Sequence, residues 1–256
     1  YKRVNAPPFF FPLGRPPRIP DTILLSPGKA RQPTMEERVR LLRQDRCVYF
    51  FRFPSPNNID WYSNPFDQKR SDPSQHFSRI SDYQPDQGDP RMLWEPSRAA
   101  WALDCGKAAS YGQFEDAGAI YWRWVDSWME ACPPYRGFQW KCGQESMVRL
   151  LAILFGFWAL AGDETTTSRR FQQIARLAWA TGHRIYHHIQ YAISQKNNHA
   201  TSEACGLLLI AQLFPEFREA ARWRSCGRRV LENEVRRQVY EDGSYVQHSF
   251  NYQRVM

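Results

Sequence analysis

The chain has 256 residues, which is enough for one large or two small domains and excludes a peptide hormone or a mini-scaffold. Apolar residues make up 43% and charged residues 23%, which is ordinary globular usage and excludes general disorder. The net charge of +8 indicates an anionic partner, and nucleic acid, anionic lipid and acidic polysaccharide all remain open.

Counts of single residue types narrow the class of protein. Arginine supplies 28 of the 34 basic residues, and its planar side chain suits forked contacts with carboxylate or sulfate, although a GC-rich genome produces the same bias. Ten tryptophans are typical of a carbohydrate cleft or of an aromatic core. The longest apolar run, Leu150–Ala161, is far short of the roughly 20 residues of a membrane-spanning helix, so no span is predicted.

The first part of the chain reads as irregular. Prolines crowd residues 1–34 and predict an extended arm that lies over a body built elsewhere. A charged helix is predicted over 35–46, and the aromatic stretch 47–96 is expected to be ordered by contact with later helices. We therefore predict two parts: 1–96, an irregular arm and covering segment with a short helix, and 97–256, a helical domain.

Helical patterns fill the second part, without the sustained alternation that marks strands. The helix around Met147–Leu160 is apolar on nearly every face, so neighbours are expected to cover it all round. The fold class is therefore mainly α, a layered ring of antiparallel helical hairpins. The predicted helices are Ser97–Ser110, Phe114–Glu130, Gln144–Ala161, Ser168–Ile193, His199–Phe214 and Glu216–Tyr240, with another opening near Ser249.

Two polar segments stand out from the helices. Asn198 and His199 fall where one helix ends and the next begins, and a helix N-terminus favours a bound anion. The alternative is an ordinary Asn cap with Glu203 in the first turns. The second segment follows the turn at Asp242 and ends at Tyr252, which is either a general acid or base or simply a packed tyrosine.

These segments belong to an ordered set of short motifs: Gly88–Arg91, Trp94–Arg98, Asn197–His199, Leu213–Phe217, Glu232 and Asp242–Tyr252. The set resembles the heparinase II/III-like polysaccharide lyases over about residues 60–256. Heparin, heparan sulfate and alginate lyases share this arrangement. Their fold is an incomplete (α/α) toroid followed by an antiparallel β-sandwich domain, and the chain looks like the toroid part alone.

The resemblance implies β-elimination at a uronic acid. Asn198, with His199 beside it, takes the role of neutralising the substrate carboxylate, which makes the C5 proton acidic enough to remove. Tyr252 matches the tyrosine that gives a proton to the leaving O4 atom, and in some members also takes the C5 proton. Further residues are expected to bind substrate: Trp140, Gln144, Glu145, Arg149, Gln247 and His248. For Arg149, an outward position on a solvated helix face remains open.

The resemblance also sets the expected partners. These are an acidic polysaccharide or oligosaccharide and the missing C-terminal β-sandwich domain, with neither nucleic acid nor a membrane. No cofactor is expected in this chain, because the family's structural metal belongs to that missing domain. His183 and His187 are four residues apart, but the intervening residues lack the Glu of a zinc-hydrolase helix, so no metal site is predicted. The family's periplasmic or secreted bacterial location is implied as well.

Two other functions remain open at this stage. A glycoside hydrolase needs two acidic residues facing each other across a cleft, and Glu95, Glu145, Glu203 and Asp242 form no recognisable pair. A non-catalytic module that binds acidic carbohydrate needs only the basic cleft. Unsaturated uronate and new reducing ends together distinguish the three, because a lyase gives the unsaturated product, a hydrolase gives reducing ends without it, and a binding module gives neither.

Overall fold

The computed structural model describes residues 33–57, 59–82, 88–112, 114–249 and 252, so nearly all of the proline-rich arm lies outside the described residues. One short antiparallel hairpin pairs β1, Val48–Tyr49, with β2, Phe53–Pro54. The remaining elements are helical: α1 Met35–Arg43, α2 Pro90–Trp94, α3 Ala100–Ser110, α4 Ala117–Ala131, α5 Gly143–Ala159, α6 Ser168–Ser194, α7 Asn198–Leu213 and α8 Ala220–Gln238.

Side-chain caps explain most of the helix starts. Thr34 opens α1 with a capping box, and Thr167 accepts the N–H of Arg170 at the start of α6. The start predicted at Ser97 for α3 is wrong by a few residues. Pro96–Arg98 forms a separate 3₁₀ turn and Ala99 takes a left-handed conformation with φ of 59°, which breaks the helix before α3 begins.

The last six helices form three consecutive antiparallel hairpins. Helix α3 packs on α4, α5 on α6, and α7 on α8, while α3, α5 and α7 contact one another in sequence as one layer. The predicted mainly α fold of helical hairpins is therefore confirmed. None of the described helices combines the length and the apolar character needed to cross a bilayer.

Helix α5 is the centre of the helical layer, and one of its faces departs from expectation. Gly156 lets α5 approach α3 closely, because a Cβ there would meet Tyr121 and the backbone of Ala102. The opposite stripe of α5 is 40–50% exposed within the described residues: Val148, Leu151, Phe155 and Trp158. The expectation that neighbours cover α5 all round is therefore wrong for this face of the described structure.

Described residues of the stretch 47–96 pack against the helices. Trp61 lies in the main hydrophobic core, with its ring tilted against Trp101 and edge-on to Trp124, and donates its indole N–H to Ser127 Oγ at 3.2 Å. The expectation that contact with the helices orders the whole stretch stays a prediction. The division of the chain into 1–96 and 97–256 stays a prediction.

Candidate active site

The turn between α6 and α7 places Asn198 at the first position of α7. Asn197 caps that helix by accepting the N–H of His199 at 3.0 Å. Asn198 itself is only 2% exposed, donates Nδ2 to Gln144 Oε1 at 2.7 Å, and donates its backbone N–H to Gln247 Oε1 at 3.2 Å. Three residues predicted from distant parts of the sequence thus meet at one helix N-terminus.

Gln144 fixes the orientation of the Asn198 amide. Its Oε1 also lies 3.1 Å from Ser202 Oγ, whose single hydroxyl proton is shared with the carbonyl of Asn198 at 2.8 Å. In this arrangement the Nδ2 atom of Asn198 faces α5. An amide nitrogen held in place is the group needed to donate to a substrate carboxylate.

A second group of polar residues supports the same turn from α8. Gln238 donates Nε2 to the carbonyl of Asn197 at 3.0 Å, and its Oε1 accepts from the Tyr245 hydroxyl at 2.6 Å. The Tyr245 hydroxyl also lies 3.2 Å from Gln247 Oε1. Sequence reasoning missed Gln238, Tyr245 and Ser202. Of these three residues, only Gln238 could have been found from the sequence, because it is a polar residue on the core-facing side of α8.

His199 is a neutral imidazole in this setting. Burial lowers the pKa of His199, and the negative charge of Glu145 only partly opposes that effect. Its Nδ1 lies 3.7 Å from Cys142 Sγ, and burial, with Glu203 and Glu145 nearby, raises the pKa of the Cys142 thiol to about 12. The pair is therefore a thiol and a neutral imidazole, which is unsuited to nucleophilic catalysis.

Glu203 lies beneath the site and was predicted only as a hydrolase candidate. It is 3% exposed, and its carboxyl group accepts the backbone N–H of Gln144 at the start of α5. Burial raises the pKa of Glu203 to about 7 against the opposing charge of Arg184. Its Oε2 has no hydrogen-bond partner in the described part of the chain, as expected for a carboxyl group that holds a proton.

Glu145 belongs to an internal ion triad. Arg98 donates Nε and Nη2 to the two carboxylate oxygens of Glu145, both at 2.8 Å, and Nη1 to Glu95 Oε2 at 3.0 Å. Hydrogen bonding to Glu145 is the main reason that the pKa of Arg98 is raised. Arg98 thus engages both oxygens of Glu145, and the assignment of Glu145 as a substrate-binding residue stays a prediction.

Two further predicted substrate contacts are core residues. Arg149 is 2% exposed, lies with its guanidinium 4.4 Å from the Trp128 ring centre and 5.8 Å from that of Trp140, and donates to the carbonyl of Gln139 at 2.7 Å. The Trp140 indole is also fully buried and donates to Cys132. Both side chains are enclosed in this structure, and their assignment as substrate-binding residues stays a prediction.

Tyr252 and His248 lie on the surface. Tyr252 is 44% exposed and forms no hydrogen bond with Asn198 or His199 among the described residues. It lies near enough to Arg91 to add to the raised pKa of that guanidinium, which is due mainly to Asp89. His248 packs edge-on against Tyr240, with ring centres 6.3 Å apart. The joint action of Asn198, His199 and Tyr252 stays a prediction.

The histidines, cysteines and acidic residues of the described ranges are dispersed. Within them, no group of three or more His, Cys, Asp or Glu side chains is arranged to hold a metal ion. His183 and His187 do approach each other along α6, with ring centres 4.3 Å apart, and His183 stacks on Trp179. These rings form an aromatic row on the outer surface of α6.

Comparison with known proteins defines the family. The sequence profile of the Heparinase II/III N-terminus family matches residues 42–256, so the chain belongs to this family. It is 41% identical over 56 residues to the heparin-sulfate lyase of Bacteroides stercoris and 42% identical over 50 residues to that of Pedobacter heparinus. These segments are 22% and 20% of the chain and 8% of each lyase.

The fold is similar to that of a solved lyase. The crystal structure of a heparan sulfate lyase HepC mutant from Pedobacter heparinus aligns with a TM-score of 0.61 at 19% identity. The alignment covers 86% of this chain and 32% of that protein, so the chain spans about a third of the solved structure. The likeness supports the predicted helical toroid.

Proposed function

We propose that this protein is a polysaccharide lyase that cleaves a uronic-acid-containing polysaccharide of the heparan sulfate class by β-elimination. Family membership and the heparin-sulfate lyase relatives support the reaction class. The observation that carries the proposal within the structure is the Asn198 amide, fixed at the N-terminus of α7 by Gln144 and Gln247.

The chemistry requires a neutralised carboxylate. The C5 proton of a uronate is only weakly acidic while the neighbouring carboxylate is ionised. Hydrogen-bond donors stabilise the enolate-like intermediate that forms when the proton leaves. The Asn198 amide and the N-terminal end of the α7 dipole supply partial positive charge at one point. Because Asn198 is 2% exposed, a substrate carboxylate reaches its backbone N–H by replacing Gln247 Oε1, and it reaches the Nδ2 group through the N–H that Gln144 does not engage.

His199 and Tyr252 complete the proposed chemistry. The neutral imidazole of His199 adds a hydrogen-bonding group next to Asn198 without adding a charge. As in the family members whose tyrosine serves both roles, Tyr252 takes the C5 proton, the C4–O4 bond breaks as the C4–C5 double bond forms, and the Tyr252 hydroxyl returns the proton to the leaving O4 atom. Arg91 supplies a positive charge on the Tyr252 side and suits a substrate sulfate or carboxylate.

A hydrolase is less well supported by the same residues. A glycoside hydrolase needs one protonated and one free carboxyl group facing the scissile bond. Glu95 and Glu145 do converge, but on Arg98, which neutralises both of them. Glu203 is enclosed under α5 and faces no acid partner across a cleft.

The test is a product assay with heparan sulfate, using alginate as the comparison polymer. The assay is run on the chain and on the longest natural protein that contains it. Ultraviolet absorbance reports unsaturated uronate, and a colorimetric assay reports new reducing ends. A lyase produces both signals, a hydrolase produces reducing ends alone, and a binding module produces neither. Either of the last two results would reject the proposal.

A further inference from the structure

A cationic groove runs along the outer side of the molecule between α6 and α8. Its volume is about 440 Å³, and its walls include Gln190 from α6 and Arg229, Arg236 and Arg237 from α8. The single acidic residue of the lining, Glu234, is already engaged by Arg237 at 3.0 Å and by Gln238 at 2.7 Å. The groove therefore carries net positive charge.

Three arginines form a row on this flank of α8. Arg222, Arg229 and Arg236 are seven residues apart, which places them on one helix face at intervals of about 10.5 Å. All three are exposed; Arg229 and Arg236 line the groove, whereas Arg222 lies beyond it toward the start of α8. None of the three forms a hydrogen bond or a close ion pair with a described residue, and Arg236 acts on Glu232 only through its longer-range charge. By contrast, Arg228 on the other flank is bound to Glu232 at 2.8 Å. Unpaired guanidinium groups at a regular spacing suit a repeating anionic polymer.

The opposite wall adds an aromatic ring near the start of the row. Trp179 on α6 donates its indole N–H to Glu219 at 3.1 Å, and Glu219 directly precedes α8. Trp179 remains 36% exposed, and one of its faces stacks on His183. A partly exposed indole beside arginines offers an apolar platform for a sugar ring next to contacts for its charged substituents.

We propose that the α6–α8 groove is a second binding surface for acidic polysaccharide, through which Arg222, Arg229 and Arg236 hold the polymer chain outside the reacting sugar. Behind the groove, Gln238 joins Glu234 to the carbonyl of Asn197, next to Asn198. The choice of ligand rests on the proposed function.

The test measures binding of fluorescent heparan sulfate to the 256-residue chain by anisotropy. The triple variant Arg222→Ser, Arg229→Ser, Arg236→Ser is expected to bind long chains about tenfold more weakly, with a flatter salt dependence, because three surface charge contacts are lost. Binding of a tetrasaccharide should change by less than about twofold, because a short ligand engages only one of the two sites.

A matched control removes the same charge elsewhere. Arg40, Arg169 and Arg176 are exposed and have no partner among the described residues, and Arg169 and Arg176 line a groove toward α4. The control triple Arg40→Ser, Arg169→Ser, Arg176→Ser should weaken binding of long chains by less than about threefold. Equal losses in both triples, or no loss in the first, would overturn the proposal.

Two further measurements keep the outcome clear. Thermal unfolding followed by circular dichroism checks that each triple variant unfolds at the same temperature as the wild type. Where a serine triple unfolds at a different temperature, an Arg→Gln triple at the same three positions replaces it. Single-stranded DNA of matched charge is added as a competitor. Displacement by DNA at the same concentration as heparan sulfate would contradict a polysaccharide site.

Failure of the two proposals can be told apart. Absence of unsaturated products together with weakened binding in the first triple rejects the lyase assignment and keeps the groove. Production of unsaturated uronate with unchanged binding in that triple rejects the groove and keeps the lyase.

Discussion

Replacing Glu203 with Gln tests whether the buried carboxyl group beneath the site holds a proton. The substitution keeps the shape of the side chain and an oxygen that can accept the N–H of Gln144. It removes the ionisable group whose pKa burial raises. At the position of Oε2, which lacks a hydrogen-bond partner among the described residues, it places an uncharged amide atom. Stability should then respond differently to pH.

The sign and the size follow from linkage. Folding raises the pKa of Glu203 from 4.5 to about 7, so the folded state keeps a proton that the unfolded state has lost between these values. The free energy of unfolding of the wild type therefore falls as the pH rises from about 4.5 to about 7. At 1.36 kcal/mol per pH unit, Glu203 accounts for a loss of about 3 kcal/mol.

Urea unfolding from about pH 4 to about pH 8 measures the effect. Glu203→Gln should match the wild type near pH 4 and exceed its free energy of unfolding by about 3 kcal/mol near pH 8. The difference between the two curves isolates Glu203, because other titrating groups are common to both. Glu164→Gln, at an exposed position, removes the same charge and serves as the control. Parallel curves for the wild type and Glu203→Gln would refute the protonated carboxyl group.

Three other substitutions give distinct outcomes. Arg98→Met should lower the free energy of unfolding in urea by about 3–5 kcal/mol, because it leaves Glu95 and Glu145 buried without a cation. A decrease below about 1 kcal/mol would contradict the ion triad. Arg149→Ala should lower the free energy of unfolding by about 3–5 kcal/mol, because the packing of Arg149 between two indoles is lost. Weaker oligosaccharide binding by a stably folded variant would support Arg149 as a substrate contact. Asn198→Ala should lower turnover of heparan sulfate by about 10²–10³-fold with the fold intact, and unchanged turnover would remove Asn198 from the mechanism.

The helices could be predicted closely because their signals are local. Thr34 and Thr167 mark starts by capping, and the predicted range Ser168–Ile193 differs from α6 by one residue. The left-handed Ala99 gave no such signal, because neither Gly nor Asn stands at that position. The break before α3 therefore could not be read from the sequence.

The site was harder to predict because its contacts join distant elements. Arginine is usually a surface residue. Arg149 is seen to be enclosed only in the folded structure, where the indoles of Trp128 and Trp140 from other segments pack against it. Asn198 could be singled out by its helix start, whereas its partners Gln144 and Gln247 lie 54 and 49 residues away. Their convergence depends on how the hairpins pack, which periodicity does not determine.

The central claim is most directly tested by Tyr252→Phe in the longest natural protein that contains this chain. The substitution removes one hydroxyl group and little volume from a residue that is 44% exposed, so the fold and oligosaccharide affinity should be nearly unchanged. We expect formation of unsaturated uronate from heparan sulfate to be abolished while the Kd for the polymer stays within about twofold of the wild type. Turnover at the wild-type rate by Tyr252→Phe would contradict proton transfer from this tyrosine and, with it, the proposed elimination mechanism.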